Sequence, residues 1–266
     1  MIQAGPVVWV CVPTYNEAAH VQRLARSVLA VMRGAHIDGH LLVIDDASPD
    51  GTGALADALA AREPRLHVLH RSAKEGIGPA YLAGFAHALA QGADLVVEMD
   101  CDFSHDPAAL PRLIAASAHA DVVLGSRYVA GGSVEDWPRS RRLISRAGCW
   151  YARTVLSSGV RDLTGGFKCF RRATLVELLD REVTSAGYGF QIELTHQAVL
   201  AGHSVLEIPI AFRDRQAGES KMSRAIAVEA AVQVLRLRRM THAERRRAAP
   251  VPRGAEAVAL AAEAAP

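Results

Sequence analysis

Five short apolar runs, Val7 to Val12, Leu41 to Ile44, Leu66 to His70, Leu95 to Met99 and Val122 to Gly125, are separated by stretches long enough to hold helices. That alternation is the mark of βαβ units, because parallel strands need a crossover connection of a dozen or more residues. Between the first two runs, Val21, Leu24, Ala25, Val28, Leu29 and Met32 recur at helical spacing, as do Ala80, Ala83, Gly84 and Ala88 after Gly76. The expected fold is α/β, with a mostly parallel central sheet flanked by helices. In such sheets ligands bind beyond the carboxyl ends of the strands, where the winding reverses. Four polar clusters fall there: Pro13-Thr14-Tyr15-Asn16-Glu17, Asp45-Asp46, Arg71 to Gly78, and Asp100-Cys101-Asp102. A purely structural chain has no reason to set four such clusters in register at one edge.

The last cluster carries the sharpest chemistry. Read as the end of a strand, it puts Asp100 and Asp102 on one face and Cys101 on the other. At about 5 Å and an effective dielectric of about 20, the two charges repel by roughly 3 kcal/mol. A divalent cation would turn that repulsion into coordination, and hard oxygen ligands favour Mg²⁺ or Mn²⁺. Because Mg²⁺ takes only one or two carboxylates and completes its shell with water and phosphate oxygens, a diphosphate is the natural co-ligand. Two solvated loop acids are the plainer reading of so short a pattern.

Composition narrows the class. A 266-residue chain that is 50% hydrophobic can bury one sizeable α/β core. Cys11, Cys101, Cys149 and Cys169 form no CxxC pair, which argues against a disulfide framework or a zinc ribbon and suits the cytoplasm. With Lys+Arg 30 against Asp+Glu 28, the net charge of +2 gives no footprint for nucleic acid, and there is no aromatic-basic platform for it either. Val7 to Val12 is too short for a signal-peptide core. The most apolar late stretch, Ala225 to Leu237, is broken by Glu229, Gln233 and Arg236 and falls short of the ~20 residues a membrane span needs.

Charge is unevenly placed. Arg139, Arg141, Arg142, Arg146 and Arg153 are interleaved with Leu143, Ile144, Trp150 and Tyr151, a pattern that suits either an interfacial helix or a solvated helix face. Met222 to Met240 carries Ile226, Val228, Ala231, Val232 and Leu235 ahead of clustered arginines, and is expected to lie on a membrane or a membrane-protein partner. Gly131-Gly132 and Gly165-Gly166 mark turns, followed by a strand-like Phe167 to Arg171 and a helix-like Phe190 to Leu200. The expected organisation is one main α/β domain over 1–222, a basic amphipathic helix over 223–240 and a disordered Ala/Pro/Arg tail over 241–266.

Taken in order, Pro13 to Glu17, Asp45 to Thr52 and Asp100 to Asp102 resemble the motifs of the family 2 glycosyltransferases. Gly125-Ser126-Arg127-Tyr128, Asp162 to Phe167 and Gly218-Glu219-Ser220-Lys221 narrow the resemblance to the polyprenol-phosphate (dolichol-phosphate) mannosyltransferases, over roughly residues 6 to 222. The resemblance implies a GT-A-type nucleotide-sugar-binding fold, GDP-mannose as donor, a polyprenyl phosphate as acceptor and a Mg²⁺ or Mn²⁺ cofactor. It implies an enzyme peripheral on the cytoplasmic face of the membrane.

By the same resemblance, Pro13 and Tyr15 would wall the base and ribose while Glu17 accepts a hydrogen bond from the nucleoside. Ile44 and Asp46 would contact the base, with Asp45 alongside. Pro13 and Asn16 read equally well as strand exit and helix capping, and Asp50-Gly51-Thr52 reads better as a turn and helix start. Asp102 would hold the metal, supported by Asp100, with Cys101 between them and Ser104 where relatives offer a glutamine ligand. Cys101 replaces an alanine and brings an oxidation liability. His105 reads as structural, since Mg²⁺ prefers oxygen. Arg127, Arg215, Lys221 and Lys74 would meet the diphosphate or sugar, with Arg215 and Lys221 brought over it by a lid at Ala217 to Ser220. Arg139 and Arg141 could face the acceptor phosphate.

An ionised carboxylate at Asp46 accepts N–H bonds from guanine or from uracil, so a UDP-glucose-dependent transferase to the same lipid stays open. So does a non-catalytic nucleotide-sugar-binding subunit, against which both acids and Lys221 argue. A nicotinamide dehydrogenase is disfavoured because no glycine-rich phosphate turn follows the first strand.

Overall fold

The computed structural model describes residues 5–183, 185, 187, 189–214 and 224–239, the stretch 224–230 as backbone only. Its main sheet has seven strands in the order β3 (Leu66–His70), β2 (Gly39–Asp45), β1 (Val8–Thr14), β4 (Leu95–Glu98), β7 (Lys168–Arg171), β5 (Val122–Ser126) and β8 (Val205–Pro209). Neighbours pair in parallel except at β7, which lies antiparallel between β4 and β5. A two-stranded ribbon joins β6 (Ser133–Val134) to β9 (Ala211–Phe212). The helices are α1 (Val21–Gly34), α2 (Thr52–Ala60), α3 (Ile77–Ala90), α4 (Leu110–Ala116), α5 (Arg139–Leu156), α6 (Arg172–Leu179), α7 (Gly189–Leu200) and α8 (Arg224–Arg238).

Period-two alternation splits the core. Val8, Val10 and Val12 of β1 face the layer of α1 and α4, while Trp9 and Cys11 face that of α3, α6 and α7. The six apolar residues that recur at helical spacing in α1 are its buried set. Apart from Ala25, each such side chain taken out of water contributes about 1.5–3 kcal/mol. Ala83, expected with the buried face of α3, is only half-buried, and Tyr81 and Phe85 fill that face instead. The α8 helix rests on α5 and α7, burying Val234 and Leu237 and leaving Val232 and Leu235 exposed.

The winding reverses between β1 and β4, so the carboxyl ends of β3, β2, β1 and β4 are adjacent. This is where ligand crevices open in doubly wound sheets. Two local expectations need correction here. Pro13 is inside β1, paired with Ile44, not at a strand exit. Its missing N–H points toward β4 and lies past Cys11, the last β1 residue paired there, so no ladder bond is lost. Asn16 does not cap α1, because a turn separates it from the helix and it takes φ 58° while donating its N–H to Ser48 Oγ. By contrast, Gly51, at φ 87°, caps α2 and Thr52 opens it, as the turn reading expected.

Candidate active site

At the carboxyl end of β2, Asp46 is held from two sides. Its N–H donates to Thr14 O at 3.0 Å, and its carboxylate accepts from Arg71 Nη1 at 2.6 Å. Arg71 also reaches Glu75. Burial pushes the Asp46 carboxyl above its ordinary pKa despite the arginine beside it. Lys74 Nζ stands 3.9 Å over the Tyr15 ring. Glu17 donates its N–H to Thr52 Oγ1 at 2.9 Å, and its carboxylate meets His20 Nδ1 at 2.9 Å.

Two expected base contacts turn away. Ile44 is wholly buried against α3, where its Cδ1 packs so closely on Gly84 that a Cβ there would clash. Asp45 faces α2, accepting from Ser48 N–H at 3.3 Å with His70 3.8 Å away. Alternation along β2 is the cause, since consecutive residues take opposite faces and only Asp46, past the strand end, reaches the crevice.

The Asp100-Cys101-Asp102 segment is a turn. The β4 strand stops at Glu98, Met99 N–H donates to Cys11 O at 3.1 Å, and Phe103 takes φ 62°. Strand alternation therefore does not place the two acids; the turn does. Asp102 is 8% exposed and accepts from Ser104 N–H at 3.0 Å. Asp100 is more open, with its N–H donated to His105 Nδ1 at 3.2 Å and Tyr81 Oη a long 3.5 Å from its Oδ1. Ser104 is buried, and its carbonyl accepts from Arg213 N–H at 3.2 Å. Cys101 is buried in the core, and desolvation, reinforced by Glu17, Asp102 and Asp100, keeps the thiol protonated. That removes the expected oxidation liability, because the thiolate is the reactive form.

Among the described residues no group of three or more His, Cys, Asp or Glu side chains could hold a metal. Two carboxylates in one turn, with remaining positions left to water and phosphate oxygens, fit Mg²⁺ or Mn²⁺. Asp100 and Asp102 are the residues that could hold it, with Ser104 tied to Asp102 through its backbone N–H.

Around the start of α5, another expectation is corrected. Arg127 is a buried ion-pair partner: Nε and Nη2 donate to Asp162 at 2.8 and 2.6 Å, and Nη2 also to Thr164 Oγ1 at 2.6 Å. Such a bidentate grip leaves it a positioning role more than an open phosphate clamp. Arg141 pairs with Asp214 at 2.9 Å and stacks 4.1 Å over Trp137. Arg139 is exposed in the first turn of α5. Arg215, Lys221 and the lid at Ala217 to Ser220 lie outside the described residues, as does the 241–266 tail.

Sequence reasoning assigned no role to Asp162, Glu98, Lys168 or Arg71. Glu98 and Lys168 pair at 3.4 Å beneath the acidic turn, fully buried. A lone charge inside each of two apolar strand runs, of opposite sign, was the available signal.

A sheet reversing at β1/β4 with acids and basic groups at its carboxyl edge defines an α/β protein built to hold an anionic, nucleotide-like ligand. The chain belongs to the family described as Glycosyl transferase family 2, which it matches over residues 9–179. It is 47% identical over 225 residues to undecaprenyl-phosphate mannosyltransferase of Micrococcus luteus, covering 85% of this chain and 91% of that one. Identity is also 47% over 216 residues to polyprenol monophosphomannose synthase of Mycolicibacterium smegmatis, 80% of each. Among solved structures, glucosyl-3-phosphoglycerate synthase of Mycobacterium tuberculosis with Mn²⁺, uridine-diphosphate and phosphoglyceric acid superposes with a TM-score of 0.67. At 21% identity, over 90% of this chain and 81% of that one, it shows that the GT-A-type fold is shared.

Proposed function

We propose that the chain transfers mannose from GDP-mannose to a polyprenyl phosphate, inverting the anomeric configuration and releasing GDP. The observation that carries this reading is 47% identity, over 85% of the chain, to a protein named for mannosyl transfer to undecaprenyl phosphate. The crevice agrees with it chemically. Asp46, with Arg71 beside it, supplies an acceptor for a base edge, and Tyr15 with Lys74 forms a wall beside it. Asp100 and Asp102 would hold Mg²⁺ or Mn²⁺, which when bound neutralises charge on the leaving diphosphate. Arg215 and Lys221 keep the role given by the family motif, cationic partners of the departing GDP.

The acceptor phosphate is already ionised at neutral pH, so no side chain must deprotonate the nucleophile. Arg139 and Arg141 suit its charge. Among the described residues no helix is long and apolar enough to cross a membrane. On α5, Leu143, Ile144 and Trp150 are 70%, 59% and 64% exposed beside Arg146, which supports a peripheral site at an anionic, cytoplasmic-face lipid surface.

Transfer of label from GDP-mannose to a short polyprenyl phosphate, with and without chelator, tests the reading. Asp102→Asn is expected to lower the rate at least about tenfold under saturating metal. Label passing from UDP-glucose instead, or equal rates with chelator, would overturn it. Cosedimentation with anionic vesicles at low salt, reversed at high salt, checks the membrane surface.

A further inference from the structure

From sequence His105 reads as structural, yet its contacts run to both ends of the crevice. It is 2% exposed, and its Nδ1 accepts the N–H of Asp100 at 3.2 Å. An accepting Nδ1 is unprotonated, which puts the ring hydrogen on Nε2. The ring stacks on Phe167, with centroids 5.0 Å apart and planes at 12°, and meets the Phe212 ring edge-on at 5.5 Å. Its backbone bridges Phe212, and the adjoining Ser104 carbonyl accepts from Arg213 N–H. From Phe212 the contacts continue edge-on to Trp137 at 5.4 Å, and Arg141 lies flat over Trp137 at 4.1 Å. Phe212 belongs to β9, two residues before Asp214, the partner of Arg141.

We propose that His105 is a positioning residue that fixes the Asp100–Asp102 turn by accepting the Asp100 N–H and, through the Phe212 and Trp137 rings, sets Arg141 at the acceptor end. This rests on the functional reading above for what occupies each end. The physical need is clear: a turn with Phe103 at φ 62° is held only where its surroundings over-determine it. With His105 and Trp137 buried and Phe212 half-buried between them, these rings have few alternative packings and are suited to transmit a shift of the turn to β9 and α5.

Three substitutions in the full chain separate the acceptor atom from the ring. His105→Phe keeps the stacking and removes the acceptor; His105→Asn keeps an acceptor near the Nδ1 position and removes the ring. Calorimetric titration of Mn²⁺, alone and with GDP, is expected to show affinity reduced about tenfold or more in His105→Phe and largely restored in His105→Asn. Trp137→Leu should raise KM for the polyprenyl phosphate about fivefold while Mn²⁺ and GDP affinity stay within about twofold of the parent. Unchanged Mn²⁺ affinity in His105→Phe, or His105→Asn no better than His105→Phe, overturns the inference. So does Trp137→Leu weakening both ends alike, the behaviour of a merely structural ring. Should His105→Phe fail to fold, the His105→Asn titration and the Trp137→Leu split decide it. A parent that binds Mn²⁺ but moves no label from GDP-mannose sinks the functional reading alone, since the Mn²⁺ titrations still decide the role of His105.

Discussion

Two ion pairs are buried beneath the same crevice, and they are built in opposite ways. Arg127 and Asp162 meet side-on at 2.6 and 2.8 Å, with the Arg127 backbone N–H and Thr164 joining the same carboxylate. Desolvation opposes the charge on Asp162, but the Arg127 charge and its hydrogen bonds outweigh it, and the carboxyl lies below its ordinary range. Glu98 and Lys168 stand 3.4 Å apart, with Gln191 hydrogen-bonded to the ammonium, and Glu98 Oε1 has no partner among the described residues. There desolvation prevails on both partners, pushing the Glu98 carboxyl up and the Lys168 ammonium down. The difference teaches that proximity alone does not keep a buried charge charged. Meeting its lone pairs does.

The severest way to break this contrast is Asp162→Ala. It leaves the Arg127 guanidinium buried without its carboxylate, and is expected to cost about 3–5 kcal/mol in urea unfolding. A loss under about 1 kcal/mol would mean that the satisfied pair is no more binding than the loose one.

How far the two pairs could be read from the chain differs for a topological reason. The four strands of the first half follow one another in the sheet as near neighbours, so Val8–Thr14, Gly39–Asp45, Leu66–His70 and Leu95–Glu98 sit within about two residues of their apolar runs. The placement of Asp46 and Asp102 at one edge followed from that. In the second half β7 inserts antiparallel between β4 and β5, and no local pattern encodes that interleaving. Lys168 thus meets Glu98 across 70 residues, and Arg127 meets Asp162 across 35. Both arginine and aspartate were visible as motif residues, but a one-dimensional motif cannot say that they satisfy each other. The acidic turn was misplaced onto a strand because the apolar run extends one residue past the last ladder pair, Cys11 with Glu98.

The loose pair offers a smaller, sharper test. Lys168→Met strands Glu98, which relieves itself by binding a proton, so the loss is expected near 2 kcal/mol at neutral pH. Adding Glu98→Gln should bring the double variant back to within about 1 kcal/mol of the parent. The matching double at the other pair, Arg127→Met with Asp162→Leu, should not recover, because the Arg127 N–H also loses its acceptor. Comparable recovery in both cycles would erase the distinction between them.

The smallest expected effect comes from a third arrangement, at the amino-terminal end of the same sheet, where ionisable groups are partly buried by staying neutral. His40 Nδ1 and His67 Nε2 stand 3.0 Å apart, and both rings stack on Trp9, at 4.8 and 4.6 Å. One nitrogen must donate and the other accept, so at least one ring is uncharged. Burial lowers both pKa values, reinforced at His40 by Arg65 against the pull of Asp38, and at His67 by His40 and His87. Lowered folded values mean that the unfolded chain binds more protons below the ordinary histidine pKa of about 6.5. The contribution is therefore complete above that pH and is lost as pH falls from it through the lower folded values. Unfolding midpoints followed by Trp9 emission, in a Trp137→Phe/Trp150→Phe background, should decline as pH falls below the ordinary histidine pKa of about 6.5. The decline should flatten in His40→Phe, which retains a ring over Trp9 and carries no proton. An undiminished decline in that variant would assign the acid sensitivity to groups other than the His40–His67 pair.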